Sequence, residues 1–397
     1  MKYTPGPYTQ TQLKTAIDEI EISLTNRYLR DGAITDAAEK RYWREAVEKA
    51  SFGRNTVMYD DQGNPSVMVA VPLFTEADVL SGGRNYPHPA FIVNETTKPI
   101  IYISKYQNII TGSGETMRAL SLKGVDPKTD VVTHDYAVTA CKQKGTGWHC
   151  ATNAEYAALA LLCKSQGFMP RGNNSYGKDY AITSEKGTPS HFYDSSGTKR
   201  IGRVATGSGP VSWTHDGTPF GVYDLNGNVY EWAVGMRTVD GEIQNIPNNN
   251  AADNTKNLSA SSTEWKAIMP NGSLVSPGTE GTLKYDAETA TPSGIRLNTS
   301  LENPQTTNAN YLGRTFETVA AKDGVTIPNM LKLLALMPID VAHGADYMYV
   351  RNNGERCALR GGYWVNASSA GVFSLNLNHA RSDADYAIGF RSAFVQL

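Results

Sequence analysis

The chain has 397 residues, a formal net charge of −2, and 40% hydrophobic against 19% charged residues. A chain of this length can bury a sizeable hydrophobic core. Its balanced charge excludes the excess of positive charge that is typical of proteins that bind nucleic acid or an anionic membrane. No run approaches the roughly 20 apolar residues of a membrane helix, and the opening MKYTPGPYTQ lacks a signal-peptide core. We therefore expect no membrane span and no Sec export.

The first 75 residues predict two helices and a hairpin. The later of the two helices is expected over about 36–51, with Asp36 as its N-cap, and the hairpin is expected over 55–72. The first helix carries a short heptad seam at spacings of 4, 3 and 4, formed by Leu13, Ile17, Ile20 and Leu24. Two interpretations stay open: an attachment or oligomerisation module, or helices packed on the main domain of the same chain. The domain boundary predicted near residue 75 is not sharply marked in the sequence.

Cysteine and histidine spacing predicts no metal centre and no cofactor. The seven histidines contain no HxxxH or HExxH element. The four cysteines form no CxxC pair, so we expect buried free thiols at Cys141, Cys150, Cys163 and Cys357.

Residues 76–397 predict one mixed domain. A helix is expected at 136–141, and Thr152 with Glu155 forms a capping box that starts another. The segment 221–232, GVYDLNGNVYEW, predicts a tight turn at Asn226-Gly227 and a core anchor at Trp232. We expect Glu231 to be structural, accepting backbone hydrogen bonds. Loops and hairpins inserted over about 240–340 include a short apolar helix at 327–337.

The C-terminal segment predicts two strands separated by polar residues. Apolar residues at 373, 375 and 377 alternate with Ser374, Asn376 and Asn378, which is the pattern of a strand with one buried and one wet face. A second strand is expected at 388–394. The residues between these apolar positions are tyrosine, serine, asparagine and other small side chains, a palette typical of engineered and evolved paratopes. An ordinary polar loop between edge strands is the alternative.

These motifs carry a resemblance to a known family. LRGGYW and IGFRSAF near the end, GVYDLNGNVYEW, and the helix start at 148–160 resemble the formylglycine-generating-enzyme-like branch of the C-type lectin fold. Within that branch the chain is most similar to the variable proteins of diversity-generating retroelements, which include phage major tropism determinants. The resemblance implies an α+β, C-type lectin fold whose last few dozen residues, here about 360–395, are rewritten at template adenines.

The residue types fit adenine mutagenesis. Changing the adenines of an AAC codon can give Tyr, Ser, His, Asp, Ala, Val, Gly or Ile, but never Lys, Glu, Gln, Met or Trp. Between Tyr363 and Ala387 the chain contains none of those five except Trp364, which belongs to the framework motif. The predicted variable, ligand-binding positions are Tyr363, Val365, Asn366, Ser368, Ser369, Asn376, Asn378, His379, Asp383, Ala384, Asp385, Tyr386 and Ala387.

The resemblance implies binding rather than catalysis. The family's oxidases carry a catalytic cysteine pair just after the RGGSW motif, whereas Val365, Asn366 and Ala367 follow Trp364 here and no cysteine follows Cys357. Calcium-dependent lectin motifs, EPN with WND, are also missing from the sequence. We expect a host-cell receptor or another macromolecular ligand, protein or glycan, bound by a homo-oligomer, for example a trimer.

The predicted location is a phage tail fibre or tip, with a bacterial cell surface as the alternative. A fixed lectin-fold structural or assembly protein is the rival hypothesis.

Overall fold

A computed structural model describes residues 8–289, 294–307 and 310–397. Six residues of the predicted insertion, 290–293 and 308–309, thus lie outside the described residues. Six α-helices occur in the described part: α1 (Gln10–Asp31), α2 (Ala37–Ala50), α3 (Glu76–Val79), α4 (His134–Lys142), α5 (Asn153–Ser165) and α6 (Asn329–Leu333).

The strands are short and numerous. The first twelve are β1 (Asn55–Tyr59), β2 (Pro65–Pro72), β3 (Ile92–Val93), β4 (Thr96–Thr97), β5 (Ile100–Ser104), β6 (Ile109–Thr111), β7 (Arg118–Leu120), β8 (Trp148–Cys150), β9 (Phe192–Ser195), β10 (Thr198–Ile201), β11 (Tyr230–Val239) and β12 (Glu242–Asn245). The remainder are β13 (Lys266–Ile268), β14 (Leu274–Val275), β15 (Lys284–Ala287), β16 (Ile295–Asn298), β17 (Leu312–Thr315), β18 (Ala320–Ala321), β19 (Tyr347–Val350), β20 (Glu355–Gly361), β21 (Gly371–Leu377), β22 (Ile388–Phe390) and β23 (Ser392–Phe394). The predicted α+β class is confirmed.

A five-stranded sheet joins the first quarter of the chain to its last strand. Its order is β1-β2-β5-β23-β8, so β23 lies inside the sheet and pairs with β5 on one side and β8 on the other. The predicted hairpin, β1 with β2, is part of this sheet, and β2 pairs with β5 across the soft boundary near residue 75. The structure therefore places the hairpin within the main body.

A twelve-stranded sheet contains most of the remaining strands. Its main order is β17-β19-β21-β20-β11-β12-β15-β16-β18, with β22 paired to β11. The helix α5 packs against β11 and β21 of this sheet, and it shares one hydrophobic core with Ile101 and Ile103 of the smaller sheet. Its start has the predicted capping box, in which the Thr152 hydroxyl and the Glu155 carboxylate each accept a backbone N–H.

The strand β21 differs from the prediction that one of its faces is buried and the other is exposed to water. Its residues are buried on both faces, including Ser374 (0% exposed) and Asn376 (5% exposed), so it has no wet face. The reason is its position, because β21 lies between β19 and β20, and Asn376 faces Tyr349 of β19 in the register. Alternation alone could not distinguish a polar face in water from a polar face covered by tyrosines.

The second predicted C-terminal strand is in fact two strands in different sheets. β22 pairs with β11 in the large sheet and β23 pairs with β5 in the small one, and Arg391 lies between them, fully buried. Its guanidinium donates to both Glu231 carboxylate oxygens (2.5 and 2.6 Å) and to the Ser104 and Tyr223 carbonyls. Glu231 is structural as predicted, but its partners are Arg391 and the Gln107 side-chain amide rather than backbone N–H groups.

The remaining core predictions are confirmed. Trp232 is fully buried and its indole N–H donates to the Val132 carbonyl at 2.8 Å. Gly227 has a φ of 78°, and a Cβ at this position would lie 2.2 Å from the Asn173 carbonyl oxygen. The four cysteines are buried and free. The apolar helix predicted at 327–337 is α6, shorter than expected, with Pro328 at its N-cap.

The heptad seam of α1 is occupied within the chain. Leu13, Ile17 and Leu24 are at most 6% exposed and share a core with Tyr106, Trp213 and Tyr223 of the main body. Of the two interpretations left open, the structure therefore favours packing on the main domain. The seam is not a free oligomerisation surface.

A buried ion pair fastens α1 to the same body. The Lys105 ammonium lies 2.7 Å from the Glu21 carboxylate and donates to the Asn55 side chain at 2.9 Å, and both charged residues are fully buried. The Tyr106 hydroxyl also donates to Glu21. Burial lowers the pKa of Lys105, so the carboxylate beside it is what keeps this ammonium charged.

We predict that the same change is far more destabilising at one isoleucine of α1 than at another. Ile17→Asp should lower the free energy of unfolding by at least about 4 kcal/mol, because an unpaired carboxylate replaces a fully buried side chain. Ile22→Asp, at a position 42% exposed, should cost about 1 kcal/mol or less. Urea unfolding followed by circular dichroism measures both. Equal small effects would show that the seam does not pack on the body in solution.

Candidate functional site

The predicted ligand-binding positions fall mainly on two adjoining loops. The first, 362–370, connects β20 to β21, and the second, 378–387, connects β21 to β22. The loops meet where the rings of Trp364 and Tyr386 approach to 5.6 Å between centroids. We call their combined outer face the display surface. Both loops start and end on strands of the large sheet, which gives them rigid ends.

The first loop is folded tightly around a buried tryptophan. Trp364 is fully buried, and its carbonyl accepts a hydrogen bond from the Tyr176 N–H at 2.8 Å. The Asn366 side chain accepts from the Tyr363 N–H at 2.9 Å, so it closes the turn. At Gly362, with φ 79°, a Cβ would lie 2.6 Å from that of Ala370. The backbone here is fixed by these contacts, while the Ser368 and Ser369 side chains remain partly exposed.

An arginine that the sequence interpretation missed fastens the second loop. Arg381 donates to both Glu355 carboxylate oxygens (2.9 and 3.1 Å) and to the Asp135 carboxylate at 2.8 Å. Its carbonyl accepts from the His134 N–H at 3.2 Å. Hydrogen bonds from His134 and Arg381 lower the pKa of Asp135 to about 2, so the carboxylate stays ionised. The sequence feature that could have identified Arg381 is that its segment contains no other arginine, no lysine and no glutamate.

A series of ring contacts passes beside and beneath the display surface, and two of its rings, Trp364 and Tyr230, are buried. Tyr193, from the β9–β10 hairpin, stacks on Tyr386 with centroids 5.8 Å apart and planes at 19°. Trp364 lies 5.3 Å from Tyr363, which in turn stacks on Tyr230 at 5.4 Å and 30°. Burial raises the pKa of Tyr363 to about 12. Its hydroxyl therefore remains a neutral donor and acceptor at physiological pH.

A second group of tyrosines continues the array beyond the predicted variable segment. Burial raises the pKa of Tyr349 of β19, and the side chains of Ser369 and Tyr230 beside it oppose that rise. Around it lie Tyr311, edge-on at 5.3 Å, and Tyr347 at 4.8 Å. The sequence interpretation assigned no function to these three residues. The available signal was the count of 21 tyrosines in the chain.

The predicted positions divide into three groups by exposure. Tyr386 (40% exposed) and Ala384 lie open to solvent. Nine others are partly exposed: Tyr363, Val365, Asn366, Ser368, Ser369, Asn378, His379, Asp383 and Asp385. Asn376 (5% exposed) and Ala387 (4%) are buried, which corrects the expectation that they contact a ligand directly. Asn376 lies opposite Tyr349 in the β19–β21 register, and Ala387 packs with Trp364 and Val229.

The display surface presents polar side chains that can make contacts at neutral pH. His379 lies 3.3 Å from the Asp383 carboxylate, and burial lowers the pKa of this histidine. The Asp385 carboxylate accepts from the Ala387 N–H at 3.1 Å. Cys357 lies beneath, with a pKa raised by burial to about 12, so its thiol stays protonated. Such an arrangement of hydroxyls, amides and neutral rings suits non-covalent recognition.

Within residues 8–289, 294–307 and 310–397, no helix has both the length and the apolar composition needed to cross a bilayer. The same part of the chain contains no cluster of three or more His, Cys, Asp and Glu side chains that could hold a metal ion.

Comparison with known proteins gives structural matches only. No family model matches the chain, and no curated protein matches it. Among solved structures it is similar to variable protein 1 of Treponema denticola, at 11% identity and a TM-score of 0.33, over 86% of this chain and 98% of that one. It is also similar to the U1 variant of the Major Tropism Determinant, at 12% identity and a TM-score of 0.27, over 83% of this chain and 63% of that one. The M1 variant matches at 11% identity and a TM-score of 0.29, over 86% of this chain and 71% of that one.

By name these structures are variable proteins and tropism determinants, the class that the sequence motifs resemble. Identities near 11% and TM-scores of 0.33 and below transfer no function to this chain. What the display surface does must therefore be inferred from its own residues.

We predict that Arg381→Ala loosens the second loop without unfolding the chain. Amides of 378–387 should exchange with deuterium at least about tenfold faster, and stability should fall by about 1–3 kcal/mol, because a largely buried charged hydrogen-bond network is broken. Glu355 keeps its contact with Arg237 at 2.7 Å, which limits the damage. Hydrogen exchange read by mass spectrometry measures the loop directly.

The matched control is Arg41→Ala, whose side chain is 71% exposed and pairs with Glu45 only at 3.9 Å. It should change neither quantity. If Arg381→Ala leaves exchange in 378–387 at the control's rate, Arg381 does not fasten the loop.

Proposed function

We propose that this chain is a non-catalytic ligand-binding protein whose display surface is diversified by a retroelement. One observation carries the proposal: the residue types that adenine mutagenesis can produce lie on two loops, while the residues that build the fold beneath them are buried. Loops held at both ends by a rigid sheet can change side chains without changing the core.

The buried framework supports this division. Every residue that we assign to it is buried: Gly361, Gly362, Trp364, Phe373, Leu375, Leu377, Ile388, Gly389, Phe390 and Arg391. Phe373, for example, is 0% exposed and stacks on Phe316 with centroids 5.6 Å apart. To this framework we add Arg381, because its ion pairs with Glu355 and Asp135 position the second loop.

The proposed setting is a phage tail fibre or tip, and the proposed ligand is a receptor on the host cell. A bacterial cell surface is the second setting. We keep a homo-oligomer, for example a trimer, as part of the proposal, since several copies would convert weak single-site contacts into avidity. The seam of α1 supplies no support for it, because that seam is buried within one chain.

An oxidase of the formylglycine-generating type is a poor fit to these residues. Val365, Asn366 and Ala367 stand where those enzymes carry a catalytic cysteine, and Cys357 is a buried, protonated thiol. The rival worth testing is a fixed structural or assembly protein with the same fold. It requires the same buried framework but no variation on the display surface.

The DNA beside the gene discriminates between these two. We expect a near-copy of the codons for about 360–395, with AAC or AAT opposite exposed positions such as Tyr363, Asp383 and Tyr386, and a reverse-transcriptase gene nearby. We also expect the framework codons, including that of Arg381, to match the copy. Absence of a copy, or mismatches scattered over all four template bases, would leave the fixed structural protein as the better hypothesis.

A second prediction tests tolerance in the protein itself. The combined change Ser368→Tyr and Ala384→Tyr should shift Tm by no more than about 3 °C, since both side chains reach solvent. Asn376→Tyr uses the same new side chain at a buried position and should cost about 1–3 kcal/mol or more through overpacking. Thermal unfolding of the three purified proteins gives the comparison. Comparable losses at all positions would contradict a tolerant surface on an intolerant frame.

A further inference from the structure

We propose that the chain forms an internal covalent cross-link, an amide bond between the side chains of Lys105 and Asn55, and that Glu21 transfers the protons which this reaction moves. The three residues come from separate elements. Glu21 lies on α1, Asn55 is the first residue of β1, and Lys105 directly follows β5. This inference goes beyond the proposed function and does not depend on it.

The three side chains meet in the arrangement that the reaction needs. The Lys105 nitrogen (Nζ) lies 2.7 Å from the Glu21 Oε1 atom and 2.9 Å from the Asn55 Oδ1 atom. Because a C=O bond is about 1.23 Å long, the second contact places Nζ within about 4.1 Å of the amide carbon (Cγ) of Asn55. Attack requires roughly 3–3.5 Å between the reacting atoms, so a small movement of one side chain completes the geometry.

The site excludes water and favours the reactive form of the lysine. Glu21, Asn55 and Lys105 are each 0% exposed, so water does not compete for the amide carbon. The lysine nitrogen lies 5.6 Å from the centre of the Tyr106 ring and 6.0 Å from that of Tyr223. Burial lowers the pKa of Lys105. The neutral amine, which is the form that attacks a carbonyl carbon, is therefore easier to reach here than in water.

The reaction balances without any further reagent. The Lys105 ammonium gives a proton to the Glu21 carboxylate, and the free amine then attacks Cγ of Asn55 to form a new C–N bond. The intermediate collapses when the bond from Cγ to Nδ2 breaks. Glu21 gives its proton to the departing nitrogen and takes a second one from the attacking nitrogen. Ammonia leaves and carries that proton away as ammonium, so Glu21 ends as a carboxylate and the lysine and asparagine end as one amide.

Neighbouring groups hold the reacting atoms in position. The Nδ2 atom of Asn55 donates to the Phe220 carbonyl at 2.7 Å, which keeps the Oδ1 side of the amide turned toward Lys105. The Tyr106 hydroxyl donates to the Oε2 atom of Glu21, so Oε1 is the oxygen that faces the lysine. Tyr106 is thus a positioning residue. Groups fixed before the reaction begins do not have to be ordered during it.

Two other buried lysines show what is particular to this one. Lys123 is 3% exposed and pairs with Asp18 at 2.9 Å, but its hydrogen bond goes to a backbone carbonyl. Lys144 is 1% exposed and donates to a serine hydroxyl and a backbone carbonyl. Among the lysines in residues 8–289, 294–307 and 310–397, Lys105 alone contacts both a carboxylate and a side-chain amide.

The cross-link would brace the small sheet. It joins residues 50 positions apart, at the start of β1 and just beyond β5, and these two strands flank β2 in the sheet. The hairpin and the segment that leads to β5 would then form a closed loop even in the unfolded chain. A closed loop lowers the conformational entropy of the unfolded state, as a disulfide does in the chain-entropy model.

Intact-protein mass spectrometry of the full chain tests the proposal. After incubation at neutral pH the mass should lie below the sequence mass by one ammonia, about 17 Da. Tryptic digestion should give a branched peptide that joins Lys105 to Asn55, because trypsin does not cleave after a lysine whose side chain is acylated. Denaturation before the measurement should not restore the missing mass, since the bond is covalent.

Two variants test the assigned roles. The double change Glu21→Met and Lys105→Met removes both charges together, so neither is left unpaired in the core, and it should keep its full sequence mass. Glu21→Met alone should lower the cross-linked fraction at least about tenfold, because the proton acceptor is lost. The matched control is Lys123→Arg, which changes a buried lysine that contacts no side-chain amide and should show the same mass loss as the parent chain. Circular dichroism checks that each variant folds.

The parent chain decides the proposal even if Glu21→Met fails to fold. A full sequence mass would overturn it. A loss of ammonia without the branched peptide would also overturn it, because an asparagine that cyclises to a succinimide loses ammonia as well. Equal cross-linking in folded Glu21→Met would overturn the role of Glu21. Loss of the cross-link in folded Lys123→Arg would overturn the assignment of the bond to Lys105.

Discussion

The architecture depends on one buried ion pair, between Glu231 and Arg391. Isolating two charges from water is expensive, and the cost is offset only where every donor and acceptor finds a partner. Here the guanidinium also donates to the carbonyls of Ser104 and Tyr223, and the carboxylate accepts from Gln107 as well. Glu231 belongs to the large sheet and Arg391 lies where the chain leaves that sheet for the small one. The pair therefore fixes the relation between the two sheets, and with it the ends of the second loop.

The display surface follows the same principle on a smaller scale. Its backbone is held by bonds made below the surface: Asn366 closes the first loop and Arg381 fastens the second. Fixing the backbone in advance lowers the ordering cost that a partner must meet on binding. The side chains above are then left free to vary in shape and polarity, and Tyr193 of the β9–β10 hairpin stacks against Tyr386 among them.

Local signals in the sequence were sufficient for most elements. The Thr152 capping box and the hairpin at 55–72 depend on neighbours within a few residues, and each formed where predicted. Long-range placement could not be predicted in the same way. Whether the α1 seam faced another copy or the body depended on Tyr106, Trp213 and Tyr223, and whether Asn376 was wet depended on Tyr230 and Tyr349. A single sequence gives no distances between such residues, so the seam, the buried asparagine and the extended tyrosine surface needed coordinates.

Because β23 lies inside the small sheet, folding requires that the chain be translated in frame through this strand. This strand and Arg391 both follow the two loops of the display surface in the chain, and the small sheet cannot close without them, since β5 and β8 would keep unpaired edges. A premature stop or a frameshift within the loops would remove the strand along with the loops' anchor. Such a chain would fail to fold and be cleared instead of being displayed in a damaged form. Under the proposed function, only chains translated in frame through β23 would present the two loops to a ligand.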